Sequence, residues 1–599
     1  MPTTDFFLKD LNDEQIDAIL DEDNVFLIAC PGSGKTRTLT AKIAKQLSEN
    51  ESGKKFTIAL TYTHRAADEI QDRVQVLGVD TSKLWIGTIH SFCLEWIIRP
   101  YYIYDEDLIH GYRVIDTMER ETLLTTLCEQ HNGSGVTIYD CDYYFDENGY
   151  SMSSSNTAKH SVIKAILENY FTLMRERRLM DYEMILYYAH RIINSNSNVS
   201  KILSKLFSVI LVDEYQDTRQ LQYLIIGAII RTGSAETKLF MVGDPNQAIF
   251  KTLGGYPIDV EELRELTSST ISEHQLSINY RSEERIIEYF SEFNVHQTSI
   301  THVVKNEEVA TLITFDNQID RLDLEDRLVS LIEYNVETLG VPQHEICVLA
   351  PWWVQLASIT RKLIARLPQY DFDGPGTVPF ARDLDNFWYK VSKIALTSAA
   401  PNMYVRRMRW AKEVLEDLSA YGLLVSPVTS KTLLYYSNSI QINHTDGMSY
   451  LQSFFEELFE RLKINIDAHD DLRLQKGSFL LASSRRVEQL SRDGVDFSDI
   501  NSFRRVYKER SGITVSTIHG IKGAEYDTVI AYSLLEGMIP HFADPDGADS
   551  AKRLLYVVAS RARKHLHLIS ETGRTRGSYG EYPATTILQD YDFEYDTIN

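Results

Sequence analysis

Residues 25–47 read VFLIACPGSGKTRTLTAKIAKQL. The apolar run at 25–29 has the composition of a short buried strand. ACPGSGKT (29–36) is a glycine loop, and the residues after it carry the spacing of a helix. Strand, glycine loop and helix in succession form a phosphate cradle, because loop N–H groups and the helix N-terminus present positive partial charge to an anion. Ala29, Cys30, Pro31, Gly32, Ser33 and Gly34 would line it, Lys35 would reach the β and γ phosphates of a nucleotide, and the Thr36 hydroxyl would ligate Mg²⁺. Ala29 stands where the first glycine of this loop usually sits, and a small residue there still permits the tight turn. ATP with Mg²⁺ is therefore the expected ligand.

The same alternation continues outward. FTIALTY (56–62), LWIGT (84–88), FSVILVDEYQDT (207–218) and KLFMVGDPNQ (238–247) read as strands, with helical patterns between the early ones. A second series follows Asn279: TLITF (311–315), EICVLA (345–350), ITVSTI (513–518), TVIAYSL (528–534), the helix AKRLLYVVASRARK (551–564) and the strand HLHLI (565–569). Strands alternating with helices imply parallel sheets with ligands at their carboxyl ends. Between and within the two series lie stretches of helical, acidic and serine-rich texture. The expected fold is α/β, with two parallel sheets each interrupted by a mostly helical insertion. The first unit takes residues 1–98 and 200–278 with its insertion at 99–199. The second takes 279–382 and 500–599 with a reduced insertion at 383–499.

VILVDEYQDT ends a buried strand in adjacent carboxylates. Asp213 would hold Mg²⁺, and Glu214 would position and deprotonate the attacking water. The 61 basic and 85 acidic residues give a net charge of −24, which points away from non-specific coating of nucleic acid and implies that any such site is local. Five cysteines without a CxxC pair argue against a disulfide framework, a zinc ribbon or an iron–sulfur cluster. No apolar stretch approaches the length needed to span a bilayer, and MPTTDFFLKDLND shows no secretory pattern, so a cytoplasmic location is expected. The acidic, aromatic tail DYDFEYDTIN reads as a solvated end, or alternatively as a docking peptide.

In order along the chain, LNDEQ, ACPGSGKT, TYTHRAADEI, GTIHSF, DEYQDT, VGDPNQAIF, NYRS, TIHGIKGAEY and YVVASRARK resemble the successive motifs of superfamily 1 helicases of the UvrD/Rep group. The resemblance implies two RecA-like, P-loop NTPase domains and an ATP-dependent helicase or translocase on single-stranded or tailed DNA, moving 3′ to 5′. It places Gln15 on the adenine edge, with Arg37 and Tyr280 stacking on the base, and Glu525 at the ribose. Gln247 would sense the γ phosphate, Arg281 would contact it, and Arg561 would be the arginine finger from the second sheet. Thr61, Tyr62, His64, Thr88, His90, Phe250, Thr517 and His519 would form a single-strand track, a set of hydroxyls, imidazoles and aromatic faces that needs few lysines.

Departures from the group's pattern accompany the resemblance. Thr252 and Leu253 follow Phe250 where a tryptophan and an arginine are usual, so one base-stacking platform is missing, and Ser560 and Ala551 differ mildly in the last motif. The second insertion is shorter than usual. IIRPYY (97–102) is similar to the helicase-like subunits of Gabija-type defence systems, which implies an OLD-family nuclease subunit as partner. The alternative function is thus a regulatory subunit whose ATPase cycle or DNA sensing controls a partner nuclease, with little unwinding of its own. A DNA-binding scaffold with a silent nucleotide site is a third reading.

Overall fold

The computed structural model of the chain describes residues 6–49, 54–154, 156–233, 236–251, 254–303, 310–374, 378–381, 383, 386–423, 428–466, 469–492, 497–507, 512–542, 544, 546–575 and 580–598. Two six-stranded sheets organise them, and every pairing within each is parallel. In the first, the strands lie in the order Ile271–Leu276, Asn24–Ala29, Lys238–Gly243, Phe207–Asp213, Phe56–Thr61, Leu84–Thr88. In the second the order is Leu312–Asp316, Ala562–Ile569, Tyr526–Ala531, Ile346–Ala350, Ile513–Thr517, Phe372–Asp373. The central strands are apolar runs because helices cover both faces, as in NVFLIA and FSVILVD, whose residues are almost all buried. Parallel pairing brings the carboxyl ends of all six strands to one edge of each sheet, where the connecting loops assemble.

Between strands Leu84–Thr88 and Phe207–Asp213 stands a mostly helical insertion that shares its core with the first sheet. Ile166, Leu167 and Tyr170 of helix His160–Glu176 and Ile192 of helix Tyr182–Ser195 belong to the same apolar cluster as Phe207 and Ile210. A small hairpin, Tyr143–Asp146 with Gly149–Met152, interrupts the helices. The second insertion, between Phe372–Asp373 and Ile513–Thr517, is helical with an aromatic core of its own built on Trp388, Trp410, Phe454, Phe455 and Phe503. Phe503 and Ile500 come from helix Ile500–Arg505. Ion pairs Arg406–Asp72 (2.9 Å) and Arg409–Asp68 (2.8 Å) seat this insertion on helix His64–Val76 of the first unit.

Two sequence expectations are corrected here. The helix expected over 551–564 ends at Ser560, and residues 562–569 form a strand paired on both sides. Ala, Arg and Lys are good helix formers, but two ladders of sheet hydrogen bonds override that local preference. The tail is docked rather than solvated. Tyr591, Phe593 and Tyr595 share one face, by strand periodicity, and pack against Tyr289, with ring centroids 5.2, 4.8 and 6.0 Å away. Asp596 then accepts from the Ile313 backbone N–H (2.7 Å) and from Arg285 (2.6 Å) at the outer edge of the second sheet. All five cysteines are free thiols. Among the described residues, no helix is long and apolar enough to cross a membrane.

Candidate functional site

Strand Asn24–Ala29 delivers the glycine loop between its neighbours, and helix Lys35–Glu49 starts where the loop ends. Gly32 and Gly34 adopt φ of +70° and +83°, the left-handed region that glycine enters without steric cost. Space makes the same demand. A Cβ at Gly32 would lie 2.5 Å from Arg281 Cβ, and one at Gly34 would lie 2.7 Å from Gln15 Nε2. Ser33 donates to the Cys30 carbonyl through both Oγ (2.7 Å) and its N–H (3.3 Å), which curls the loop. Lys35 Nζ lies 3.4 Å from the Ala29 carbonyl, inside the curl. These residues fit a triphosphate: a backbone nest, a lysine and a helix N-terminus without carboxylates in its first turn.

The loop is also pinned from outside. Asn279 Nδ2 donates to the Pro31 carbonyl (2.8 Å), and the Tyr280 N–H donates to the Gly32 carbonyl (3.0 Å). Asn279 Oδ1 accepts from the N–H groups of Arg281 (2.7 Å) and Ser282 (2.9 Å), so one buried side chain fastens the phosphate loop to the passage between the two sheets. Nothing within the NYRS motif marks its asparagine for this role. Its signal was weak, because an amide that bridges two loops leaves no periodicity.

Gln15 sits in a capping box with Asn12 (2.8 and 3.1 Å) and donates to the Ser33 carbonyl (2.8 Å). Asn12 Nδ2 donates to the half-exposed Tyr280 hydroxyl (2.8 Å). Tyr280 therefore stands beside the glycine loop, half-exposed. Arg37, in the first turn of the helix, is exposed with its guanidinium 3.4 Å from the Lys9 carbonyl.

Strand Phe207–Asp213 places Asp213 on the carboxyl edge. Glu214 follows at φ +51°, a left-handed conformation for a residue with a side chain and a strain of ~1–3 kcal/mol that clusters at functional sites. Gln216 Nε2 donates to Glu214 (2.6 Å). Burial and the adjacent Glu214 push Asp213 above the usual carboxylate range. Burial acts on Glu214 in the same sense but is outweighed by Lys35, Lys522, the Gln216 amide and Arg561, which hold it low. The pair thus faces a concentration of positive charge drawn from both sheets.

Gln247 and Arg561 meet across the interface. Gln247 Nε2 donates to Asp244 (2.7 Å), and its Oε1 accepts from Arg561, a guanidinium buried to 2% exposure. Burial and the neighbouring Arg281 lower Arg561 to about 10, so it stays cationic at neutral pH. Arg281 pairs with Glu525 at 2.5 Å and donates to the Ser560 carbonyl (3.2 Å). Glu525 is also 3.4 Å from Arg563. Lys522 crosses in the same direction. Its ammonium makes a buried ion pair with Asp217 (2.6 Å) and donates to the Gln247 carbonyl (2.7 Å). Neither Lys522 nor Asp217 was marked by the sequence, since their contact spans 305 positions.

Of the residues expected on a nucleic-acid track, Tyr62, Phe250 and His519 come together from both sheets. The Phe250 ring lies 5.1 Å from Tyr62 and 5.3 Å from His519. His519 also contacts the Ile249 carbonyl through Nε2 (3.2 Å). The hydroxyls of Thr61, Thr88 and Thr517 are engaged locally: Thr61 donates to the Thr63 carbonyl, Thr88 caps a short helix, and Thr517 accepts from the Gly520 N–H. His90 stacks on Tyr182 at 4.0 Å, and burial lowers it to about 3, so it is neutral. His64 begins helix His64–Val76. Thr252 and Leu253 lie outside the described residues. A cavity of about 230 Å³ is lined by Tyr62, Thr88 and His90 together with Asp213, Glu214 and Asp217. IIRPYY forms the end of a π-helical turn and the short helix Arg99–Tyr101, with Ile97 and Ile98 fully buried, so packing accounts for its apolar pair.

Residues 11–266 match the family model described as the UvrD/REP helicase N-terminal domain, and residues 411–573 match that of the UvrD-like helicase C-terminal domain. The chain is 24% identical to the ATP-dependent DNA helicase PcrA of Bacillus subtilis, over 95% of this chain and 84% of that protein. It is 23% identical to DNA helicase II of Rickettsia typhi over 95% and 93%, and 22% identical to the ATP-dependent DNA helicase srs2 of Schizosaccharomyces pombe over 98% and 75%.

Proposed function

The chain belongs to the UvrD/REP family of ATP-dependent DNA helicases, enzymes that hydrolyse ATP, and from that premise we propose that it is a 3′ to 5′ translocase on single-stranded DNA. The observation that carries the proposal is the contact of Gln247 with Arg561, which joins a strand-end loop of the first sheet to the C-terminal end of helix Gly547–Ser560 in the second unit, beside Glu214. ATP bound in the glycine loop would draw Lys35, Arg281 and Arg561 onto its phosphates. Glu214 would orient the attacking water and take its proton. Thr36 and Asp213 would hold Mg²⁺, which neutralises charge on the phosphates when bound. Tyr280, Gln15 and Arg37 would surround the base, and Glu525 would meet the ribose.

Loss of the γ phosphate removes the anion that holds Arg281 and Arg561 against the first sheet. The sheets are then free to shift, and Tyr62, Phe250 and His519 shift with them, which turns hydrolysis into movement along a strand. Thr61, His64, Thr88, His90 and Thr517 complete the proposed track. A cytoplasmic site of action fits this substrate.

The test is steady-state ATP hydrolysis with and without single-stranded DNA, with Lys35→Ala as background, followed by displacement of duplexes bearing 3′ or 5′ tails. Stimulation by single strands and preference for 3′ tails are expected. Stimulation with a preference for 5′ tails would overturn the direction. The replacement of the usual tryptophan and arginine by Thr252 and Leu253 favours a second reading, a DNA-sensing ATPase that controls a partner, an OLD-family nuclease in the reading drawn from IIRPYY. Hydrolysis that appears only when that nuclease is added would select it.

A further inference from the structure

Two thiols of the first insertion take no part in the chemistry described so far. Cys128 lies in the last turn of helix Thr117–Glu129, and Cys141 follows the short turn Ile138–Asp140. Their sulfurs are 3.8 Å apart. Cys141 is fully buried, Cys128 is partly exposed, and the other three cysteines are buried. A lone thiol inside a core, such as Cys93, serves as a small apolar group. Two thiols in contact, one of them open to solvent, carry a further chemistry.

The pair is asymmetric. Burial raises the Cys141 thiol to about 12, and Cys128 with the flanking Asp140 and Asp142 adds to the rise. Burial also raises Cys128, but the Cys141 S–H facing its sulfur opposes the shift. Cys128 is therefore the sulfur that ionises first and meets a solute first, and Cys141 waits behind it. The chain between them, EQHNGSGVTIYD (129–140), passes through Gly133 and Gly135 at φ of +97° and +66°, with nothing packed against either. A disulfide holds its sulfurs at ~2.05 Å, so bonding needs an approach of under ~2 Å, which this loop can give while the helix stays in place.

We propose that Cys128 and Cys141 are a modification site, a dithiol that hydrogen peroxide converts to a disulfide and that reductants restore. The Cys128 thiolate attacks the peroxide. Its S–O bond forms as the O–O bond breaks, and the departing hydroxide takes up a proton to become water. The Cys141 sulfur then attacks the Cys128 sulfur. The S–S bond forms, the S–O bond breaks, and the Cys141 proton leaves with the hydroxide as a second water. Two thiols thus give two electrons to one peroxide, and thiol–disulfide exchange with a dithiol reverses the bond. Neither step needs nucleotide or DNA, so the site stands apart from the functional reading above. Its reach follows from what comes after Cys141. Asp142 pairs with Arg120 of the same helix (3.0 Å), and Tyr143 at the root of the hairpin donates to Asp181 (2.6 Å). The next residue, Tyr144, has its ring 5.9 Å from the guanidinium of Arg219, which pairs with Glu183 and lines the cavity beside Glu214. Drawing Cys141 toward the helix pulls on the hairpin and, through Tyr144, on that arginine.

The experiment treats the folded full chain with hydrogen peroxide, blocks the remaining thiols with iodoacetamide in denaturant and reads peptide masses. Trypsin leaves both cysteines on one peptide, 121–159, and a glutamyl protease cuts between them after Glu129. The tryptic peptide is expected to be lighter by ~2 Da, the two hydrogens lost, and to take up no iodoacetamide. Its halves should stay joined after the glutamyl cut and part with dithiothreitol. In Cys141→Ser, dimedone should capture a sulfenic acid at Cys128, and in Cys128→Ser, Cys141 should remain open to iodoacetamide. Hydrogen exchange of the unaltered chain should differ between the oxidised and reduced forms in 143–152 as well as in 129–141. Alkylation of both cysteines after peroxide, a sulfinic acid at Cys128, or a bond from Cys128 to a second copy would each overturn the site, and these readings need no variant to fold. Equal oxidation of Cys141 in Cys128→Ser would overturn the order of attack. A disulfide that leaves exchange in 143–152 unchanged would overturn the link to Arg219.

Discussion

At the residue scale, Glu214 is fixed by three constraints that a glutamine would largely keep: the left-handed backbone, the Gln216 amide at 2.6 Å and the buried cations around it. Glu214→Gln preserves shape and removes the base. Its kcat is expected to fall by ~10² or more, the contribution typical of a positioned general base, while ATP and single-stranded DNA bind within a few-fold of the unaltered chain. Unchanged turnover would sink the assignment. His567 offers a prediction of another kind. Asn335 Nδ2 faces its Nε2 (3.0 Å) and also donates to the Leu331 carbonyl, so Nε2 accepts and Nδ1 carries the proton toward Thr314 (2.9 Å). Burial, helped by His565, depresses this imidazole from 6.5 to about 3. The unfolded chain therefore binds a proton that the folded chain refuses between those values. Stability from this group is complete above pH ~6.5 and falls as pH drops, by ~1.4 kcal/mol per unit, or about 2 kcal/mol by pH 5. The thermal midpoint of His567→Gln should decline less between pH 7 and pH 5 than that of the unaltered chain. Parallel declines would show that His567 titrates normally.

At the scale of elements, the docked tail is the part of the second unit with the clearest job. It covers Tyr289 and lies alongside the exposed margin of strand Leu312–Asp316, which otherwise offers unpaired N–H and C=O groups. Removing residues 591–599 is expected to lower the thermal midpoint by more than the ~2–4 °C that 1 kcal/mol produces in a domain of this size, and to promote association through the bared edge. Differential scanning calorimetry and light scattering measure both effects, and an unchanged midpoint would mean that the tail adds nothing to the unit. The tail also shows what the sequence hid. Its Tyr591, Phe593 and Tyr595 alternate at strand spacing, but the acids between them read as solvation, and the partners that decide the matter are some 300 positions away. Strand Ala562–Ile569 was hidden in a similar way, by residues that favour a helix until two neighbours pair with them. By contrast, the glycine loop was legible because its geometry is local, written into Gly32, Gly34 and the helix that follows. Asn279 and the Asp217–Lys522 pair were not, since each acts only where separate loops converge. Arg281 and Arg561 were placed by motif order; nothing in their own surroundings in the sequence sets them apart from surface arginines.

For the molecule as a whole, a net charge of −24 has to be reconciled with a nucleic-acid substrate. The cations nearest the track do not resolve it by number, because each has a carboxylate against it: Arg219 pairs with Glu183, Lys522 with Asp217 and Lys251 with Asp546. Their local charge is close to neutral, so little counterion release accompanies binding, and affinity must come from stacked rings and backbone donors. Binding to single strands releases ions in proportion to the phosphates neutralised, with a slope of about −0.7 per phosphate in a plot of log K against log salt. If only two or three phosphates meet an unpaired donor here, the slope is about −2 or shallower. Fluorescence anisotropy over a range of salt concentrations measures it directly. A slope of about −4 or steeper would require the three ion pairs to open and offer their cations to the strand, in which case charge rather than stacking would hold the DNA, and Lys251→Met and Arg219→Met would each flatten the plot.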